Sequence, residues 1–126
     1  MSVVIDASAL LAVLLQENGS DTVVPLMRGA HMSALNASEC FARVVDKEVP
    51  AHHAMSMLKQ FEINIAAFDL SDAVAVADLR SKTKSVGASL GDRACLHLAA
   101  RLGLPLLSGD RRLAELDLGI DIRLIR

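Results

Sequence analysis

The sequence predicts an α/β fold, a three-layer α/β/α sandwich around a mostly parallel sheet. Three observations carry that prediction. Short runs rich in Val, Ile and Leu alternate with longer segments of helical period. The short runs lack polar alternation, which suits strands covered on both faces. Hydrophobic residues make up 52% of the 126 and charged residues 22%, enough apolar surface for a packed core. The length suits a single domain over residues 1–126.

The elements follow in order. Ser2-Val3-Val4-Ile5 is a β-branched run closing at Asp6 and reads as a buried strand. Ser8 is the expected cap of a helix running to Leu15, and Glu17-Asn18-Gly19 stops it. Residues 20–28 read as a second helix and Ala30–Ser33 as a short strand. Leu35–Lys47 is a long helix, with Ala37, Cys40, Phe41, Val44 and Val45 at helical spacing. Pro50 opens the next helix at a favoured first-turn position, with the stripe Ala51, Ala54, Met55, Leu58 and Phe61. Ile63–Phe68 is a strand. Ser71 is the expected cap of a helix reaching Arg80, and a polar segment, Ser81–Gly87, follows. Ser89-Leu90-Gly91-Asp92 has the form of a capping box heading an apolar helix that ends at Leu102-Gly103. Pro105-Leu106-Leu107 is a strand, a short helix follows Asp110, and Ile120–Ile125 supplies a last strand.

Composition excludes several function classes. Aromatic residues are 2%, all three of them Phe, which argues against base-stacking RNA platforms. Thirteen Lys and Arg against fifteen Asp and Glu give a net charge of −2, so the whole molecule does not attract nucleic acid. Any RNA binding must come from local cations or a bound metal. Cys40 and Cys95 have no CxxC partner and suit small core hydrophobes. MSVVID lacks the basic start of a signal peptide, and the apolar stretch Ala9–Leu15 is too short to span a bilayer. A cytoplasmic protein without a membrane partner is the expectation. There is no GxSxG, GxGxxG or GxxxxGK[ST].

The acids carry the chemistry. Ligands of an open parallel sheet bind beyond the carboxyl ends of its strands. Asp6 closes the first strand, and Ser108 and Asp110 follow the strand at 105–107. Asp92 opens a helix, and Glu39 lies in the early turns of another. If those helix starts face the same edge, four carboxylates converge. Two like charges at about 4 Å repel by about 4 kcal/mol at an effective dielectric of about 20, so a proton or a cation must relieve them. Carboxylates without His or Cys suit Mg²⁺ or Mn²⁺. Such ions activate water and neutralise phosphoryl charge. The implied reaction is metal-assisted hydrolysis of a phosphodiester. Each acid also has a plain structural role: Asp6 as a turn residue with Ser8, Asp92 as a helix cap, Glu39 in an i,i+4 pair with Arg43, Asp110 as a cap. The conjunction of all four, two of them at strand ends, favours chemistry.

These residues also carry a resemblance. Val3-Val4-Ile5-Asp6-Ala7-Ser8-Ala9, Ser33-Ala34-Leu35 through Ser38-Glu39, Leu90-Gly91-Asp92-Arg93-Ala94-Cys95-Leu96 and Leu106-Leu107-Ser108-Gly109-Asp110 resemble, in order and spacing, the four motifs of PIN domains. The resemblance spans essentially the whole chain and is closest to the VapC-like ribonuclease toxins of toxin–antitoxin pairs. It implies a Mg²⁺ or Mn²⁺ site formed by Asp6, Glu39, Asp92 and Asp110, supported by the Ser8 and Ser108 hydroxyls. The fourth motif often has Thr where this chain keeps a hydroxyl as Ser108. Endoribonuclease activity, a homodimer and a small inhibitory antitoxin are implied with it.

Arg93 beside Asp92 and Arg111 beside Asp110 are candidate contacts for substrate phosphate. Arg93, His97 and Arg101 recur along one helix as its expected wet stripe. Arg80-Ser81-Lys82-Thr83-Lys84 is the densest basic run, and a solvated helix end accounts for it more simply than RNA contact. Two other α/β readings fare worse. A phosphate-accepting receiver needs an Asp on a mid-chain strand, where residues 50–61 read as helix. An Asp-nucleophile phosphatase needs a second Asp at position 8, which is Ser. A non-catalytic acidic interaction module remains the contrasting class.

Overall fold

The apolar runs become five short strands: β1 (Val4–Ile5), β2 (His31–Ser33), β3 (Asn64–Ala66), β4 (Leu106–Ser108) and β5 (Ile122–Leu124). The structure, a computed structural model, describes residues 2–126. Between the strands run α1 (Ala7–Leu14), α2 (Ser20–Met27), α3 (Ala34–Asp46), α4 (Ala51–Gln60), α5 (Leu70–Asp78), α6 (Arg80–Thr83) and α7 (Leu90–Leu102). The sheet order is β3-β2-β1-β4-β5, and every pairing is parallel. Val4 pairs with His31 on one side and Leu106 on the other.

Alternation along β1 splits the core into two layers. Val3 and Ile5 join Met32, Leu107 and the buried faces of α1 to α4. Val4 and Leu106 join Cys95, Leu96, Leu98 and Ala99 of α7 on the opposite face. Ile5, Leu10, Leu96, Leu106 and Leu107 are fully buried, each contributing about 1.5–3 kcal/mol. Both cysteines are buried free thiols. Burial pushes Cys40 up to about 12 and raises Cys95 well above its ordinary value, so both pack as hydrophobes.

Several boundaries differ from the sequence reading. Asp6, not Ser8, caps α1: the strand ends at Ile5 and the chain turns at once, so the Asp6 carboxylate accepts from the Ala9 amide at 2.9 Å. Asp69, not Ser71, caps α5, in a reciprocal box with Asp72. Pro50 stands just before α4 as its cap. The polar segment 81–87 is largely helical. Thr83 is buried and bonds back to the Leu79 carbonyl at 2.9 Å, winding the chain into α6 and a one-turn 3₁₀ helix. The capping box at Ser89 and Asp92 forms as the sequence predicts, and Gly103 ends α7 in the left-handed region at φ 65°.

The order of the strands positions the site. From β1 the chain moves outward through β2 to β3, then returns to the other side of β1 and continues from β4 to β5. The connections leaving β1 and β4 therefore diverge, opening a crevice at their carboxyl ends. Asp6 follows β1 there, and Gly109-Asp110 follow β4.

Candidate active site

A cavity of about 400 Å³ opens at this crevice, lined by Asp6, Ala7, Ser8, Leu11, Asn36, Glu39, Arg43, Asp92 and Asp110. All four acids singled out in the sequence face it. They arrive on four different supports. Asp6 is the cap of α1, Glu39 lies in α3, Asp92 is the third residue of α7, and Asp110 follows β4.

Ser8 ties the two central strands together at this edge. Its hydroxyl donates to the Asp6 carboxylate at 2.6 Å and accepts from the Gly109 amide at 2.8 Å. Ser108 is fully buried and accepts from the Asp110 amide at 3.0 Å. The two hydroxyls thus hold the loop after β4 against the start of α1.

The electrostatics divide the acids. Burial pushes Asp6 above the usual carboxylate range, against hydrogen bonds from Ser108, Ser8 and Ala9 that pull it down; the Asp92 charge adds to the rise. Glu39 is raised chiefly by burial and further by the charges of Asp92 and Asp6, against a hydrogen bond from Asn36. Asp110 goes the other way. Arg112 grips it with Nη2 at 2.8 Å and Nε at 3.2 Å, holding its carboxyl below the ordinary range. Asp110 therefore stays anionic with an ion-pair partner of its own, whereas Asp6 and Glu39 have none among the described residues.

Asn36 has no counterpart in the sequence reading. It is buried and donates from Nδ2 to Glu39 Oε1 at 2.9 Å and to the Gly91 carbonyl at 3.0 Å. It thereby fastens α3 to the head of α7 while orienting Glu39. Its Oδ1 is buried with no hydrogen-bond partner. Only its spacing, one helical turn before Glu39, marked it in the sequence. Asn36→Ala is expected to cost about 1–3 kcal/mol, because the Nδ2 hydrogen bonds to the Glu39 carboxylate and the Gly91 carbonyl are lost. Mn²⁺ affinity should fall with it, which separates positioning from stability. Thermal unfolding with and without Mn²⁺ reads both.

Arg93 is not at the cavity. Its guanidinium is buried and donates to the Val76 carbonyl at 2.9 Å, pinning α7 to α5. Its position one residue after Asp92 turns it about 100° around the helix, toward α5 and away from the acids. The expected wet stripe is thus interrupted: His97 bonds the largely buried Asp72 at 2.9 Å, and only Arg101 is exposed. Arg111 is exposed and lies outside the residues lining the cavity. Glu39 and Arg43 do not form the i,i+4 ion pair, since Glu39 turns to Asn36.

The donors suit a hard divalent cation. Carboxylates, a hydroxyl and an unpartnered amide oxygen are all oxygen ligands, as Mg²⁺ and Mn²⁺ prefer. Among the described residues, no three His, Cys, Asp or Glu side chains are arranged to grip an ion directly. Mg²⁺ keeps several of its waters and binds through one or two carboxylates, so it does not need three direct carboxylate ligands.

The PIN-domain family model matches residues 3–118. The chain belongs to the PIN-domain family. PIN domains are generally nucleases and typically depend on divalent metals. Solved structures similar to this PIN domain include a toxin–antitoxin complex from Klebsiella pneumoniae, with a TM-score of 0.73 at 15% identity over 98% of both chains. The DNA-bound VapBC of Salmonella typhimurium gives 0.72 at 14% identity, over 100% of this chain and 99% of that one. A DNA-bound FitAB complex gives 0.71 at 19% identity, over 99% and 95%. These likenesses establish the fold of the PIN domain over its length. No curated protein matches the sequence. Among the described residues, no helix is long and apolar enough to cross a membrane.

Proposed function

We propose that this PIN domain is a metal-dependent endoribonuclease and the toxin of a toxin–antitoxin pair. The observation that carries the nuclease reading is the meeting of Asp6, Glu39, Asp92 and Asp110 at one cavity on the carboxyl edge of the sheet. Asp6, Glu39 and Asp92 would hold Mg²⁺ or Mn²⁺, directly or through water. The bound ion supplies Lewis acidity toward a phosphoryl oxygen and lowers the pKa of water. Asp110, kept anionic by Arg112, accepts a hydrogen bond from the attacking water and orients it. Ser8 and Ser108 keep Asp6 and Asp110 in register.

The toxin role, the RNA substrate, the small antitoxin partner, the homodimer, the cytoplasmic setting and one domain over residues 1–126 follow from the resemblance to VapC-like proteins. Structural likeness to a toxin–antitoxin complex supports the partner. A receiver-like role loses further ground: residues 51–60 form α4, and the edge strand β3, Asn64–Ala66, carries no Asp.

Cleavage of RNA by the purified protein tests the reading. Mg²⁺ or Mn²⁺ should support cuts at internal phosphodiesters, and a chelator should abolish them. Metal-independent cleavage would remove the ion from the mechanism. Neither cleavage nor Mn²⁺ binding would leave an acidic interaction module.

A further inference from the structure

We infer that Arg43 is the residue through which this site holds an RNA phosphate next to the scissile bond. The inference rests on the nuclease reading above and names a binding residue for it. The problem it answers is set by charge. A chain of net charge −2 with a cavity lined by four carboxylates repels a polyanion; one divalent ion offsets only part of that charge, and a cation at the mouth offsets more.

The arginines near the acids can be taken in turn. Arg93 is buried and spent on the Val76 carbonyl. Arg112 is spent on Asp110 and on the Val86 carbonyl at 3.0 Å. Arg126 lies over Gly109 and donates to the Asn18 carbonyl at 2.9 Å. Arg111 does not line the cavity. Arg43 does line it, as the one cation among the described lining residues, and it is exposed.

Its guanidinium is uncommitted. Among the described residues it has no hydrogen bond or ion pair, although Glu39 lies one turn earlier on the same helix. Asn36 holds the Glu39 carboxylate back toward α7 and so denies Arg43 its ordinary partner. Five N–H donors in a planar fork are left facing solvent at the rim of the acidic cavity. That is the geometry that takes a phosphate in two parallel hydrogen bonds. The contact gives position without sequence, because phosphate carries no base identity.

The test is RNA cleavage in Mn²⁺ by wild type, Arg43→Gln and Arg43→Lys, with rate followed against RNA and salt concentration. Gln is a good helix former at this exposed position, so the fold is retained. For Arg43→Gln, KM should rise about 5- to 10-fold at about 50 mM monovalent salt, and the salt slope of log affinity should fall by about 0.7, one phosphate on a single strand. The kcat should be little changed. Lys should restore much of the affinity as a point charge. Mn²⁺ binding, followed by thermal shift, should be unchanged or tighter, because a positive charge has left the rim. Wild-type cleavage with an unaltered KM and salt slope in Arg43→Gln overturns the assignment alone. A fall in kcat with weaker Mn²⁺ binding also overturns it, since Arg43 would then be part of the acid framework. Absence of wild-type cleavage overturns it together with the nuclease reading.

Discussion

Replacing Asp6 by Asn is expected to lower metal-dependent RNA cleavage by about 100-fold or more and to raise the melting temperature of the metal-free protein. The two effects have one cause. Asp6 is buried beside other carboxylates, which pushes it toward protonation. A charge in that position is costly to the empty fold and useful only to a cation. Stabilisation by a bound metal in a transition state is worth several kcal/mol, and each 1.4 kcal/mol or so is a factor of about ten. Asn is as good a helix cap as Asp and of the same shape. Its Oδ1 can still accept from the Ala9 amide and the Ser8 hydroxyl. Tm should therefore rise by a few degrees in chelator, and the increase given by Mn²⁺ should shrink. A variant that melts earlier in chelator would show that Asp6 serves the fold rather than the ion.

The same charges set the pH dependence. Asp6 and Glu39 are raised, so the folded chain holds more protons than the unfolded one between the ordinary values, 3.8 and 4.5, and the higher folded ones. Their contribution to stability is lost as pH rises through that interval. Asp72 and Asp110 have the opposite sign. Backbone and His97 hydrogen bonds lower Asp72, and Arg112 lowers Asp110; their contribution is present above 3.8 and is lost as pH falls through the folded values. In chelator, stability should thus be greatest in mild acid and decline toward neutrality. Added Mn²⁺ should raise Tm most at neutral pH, where protons no longer compete for the carboxylates. Asp6→Asn should flatten the neutral-side decline. Melting scans across about pH 4 to 8, with and without Mn²⁺, read all three.

Much of the fold was legible because period is a local property. The strand read in Ser2-Val3-Val4-Ile5, the helix over Leu35–Lys47 and the helix headed by the Ser89 box each announce themselves within a few residues. The errors fell where two residues competed for one role. Asp6 and Ser8 are both good caps, and only the point at which the chain leaves the sheet decides between them. Asp69 and Ser71 pose the same choice, settled by Asp72 three residues later. The polar composition of 81–87 did not announce its helical turns, in which Thr83 is buried and bonds back to the Leu79 carbonyl. At the site, strand ends alone put Asp6 and Asp110 at one edge, whereas Asp92 and Glu39 join them only because the fold brings the heads of their helices there. The direction of each arginine was not legible. Arg93 turns inward to the Val76 carbonyl of α5, while Arg43 stays exposed beside the cavity. Asn36 was unreadable for the same reason, since one of its partners, the Gly91 carbonyl, is distant in sequence.

Gly91→Ala is expected to lower RNA cleavage and Mn²⁺ affinity by about 10- to 100-fold, the usual cost of disturbing what orients a metal ligand, while leaving the fold nearly as stable as before. Gly91 is the second residue of α7, and a Cβ built there would run into the carboxylate of Glu39. Nothing about its own backbone demands glycine, because it sits in a helix. What demands it is the approach of α3, whose acid lies against the bare backbone of α7 and shares Asn36 with the Gly91 carbonyl. A methyl group does not need to break the helix. Ala is favoured over Gly in a helix by about 1 kcal/mol, and the obstructing atoms belong to the end of a flexible side chain that can swing away. The methyl group therefore acts on Glu39 alone and moves it out of the cavity. Double-mutant analysis distinguishes this from general damage. If Gly91→Ala has already displaced Glu39, then Glu39→Gln should cost far less in the Gly91→Ala background than in wild type. Additive losses would mean that the two residues act independently, and that the packing of α3 on α7 is not what places the acid.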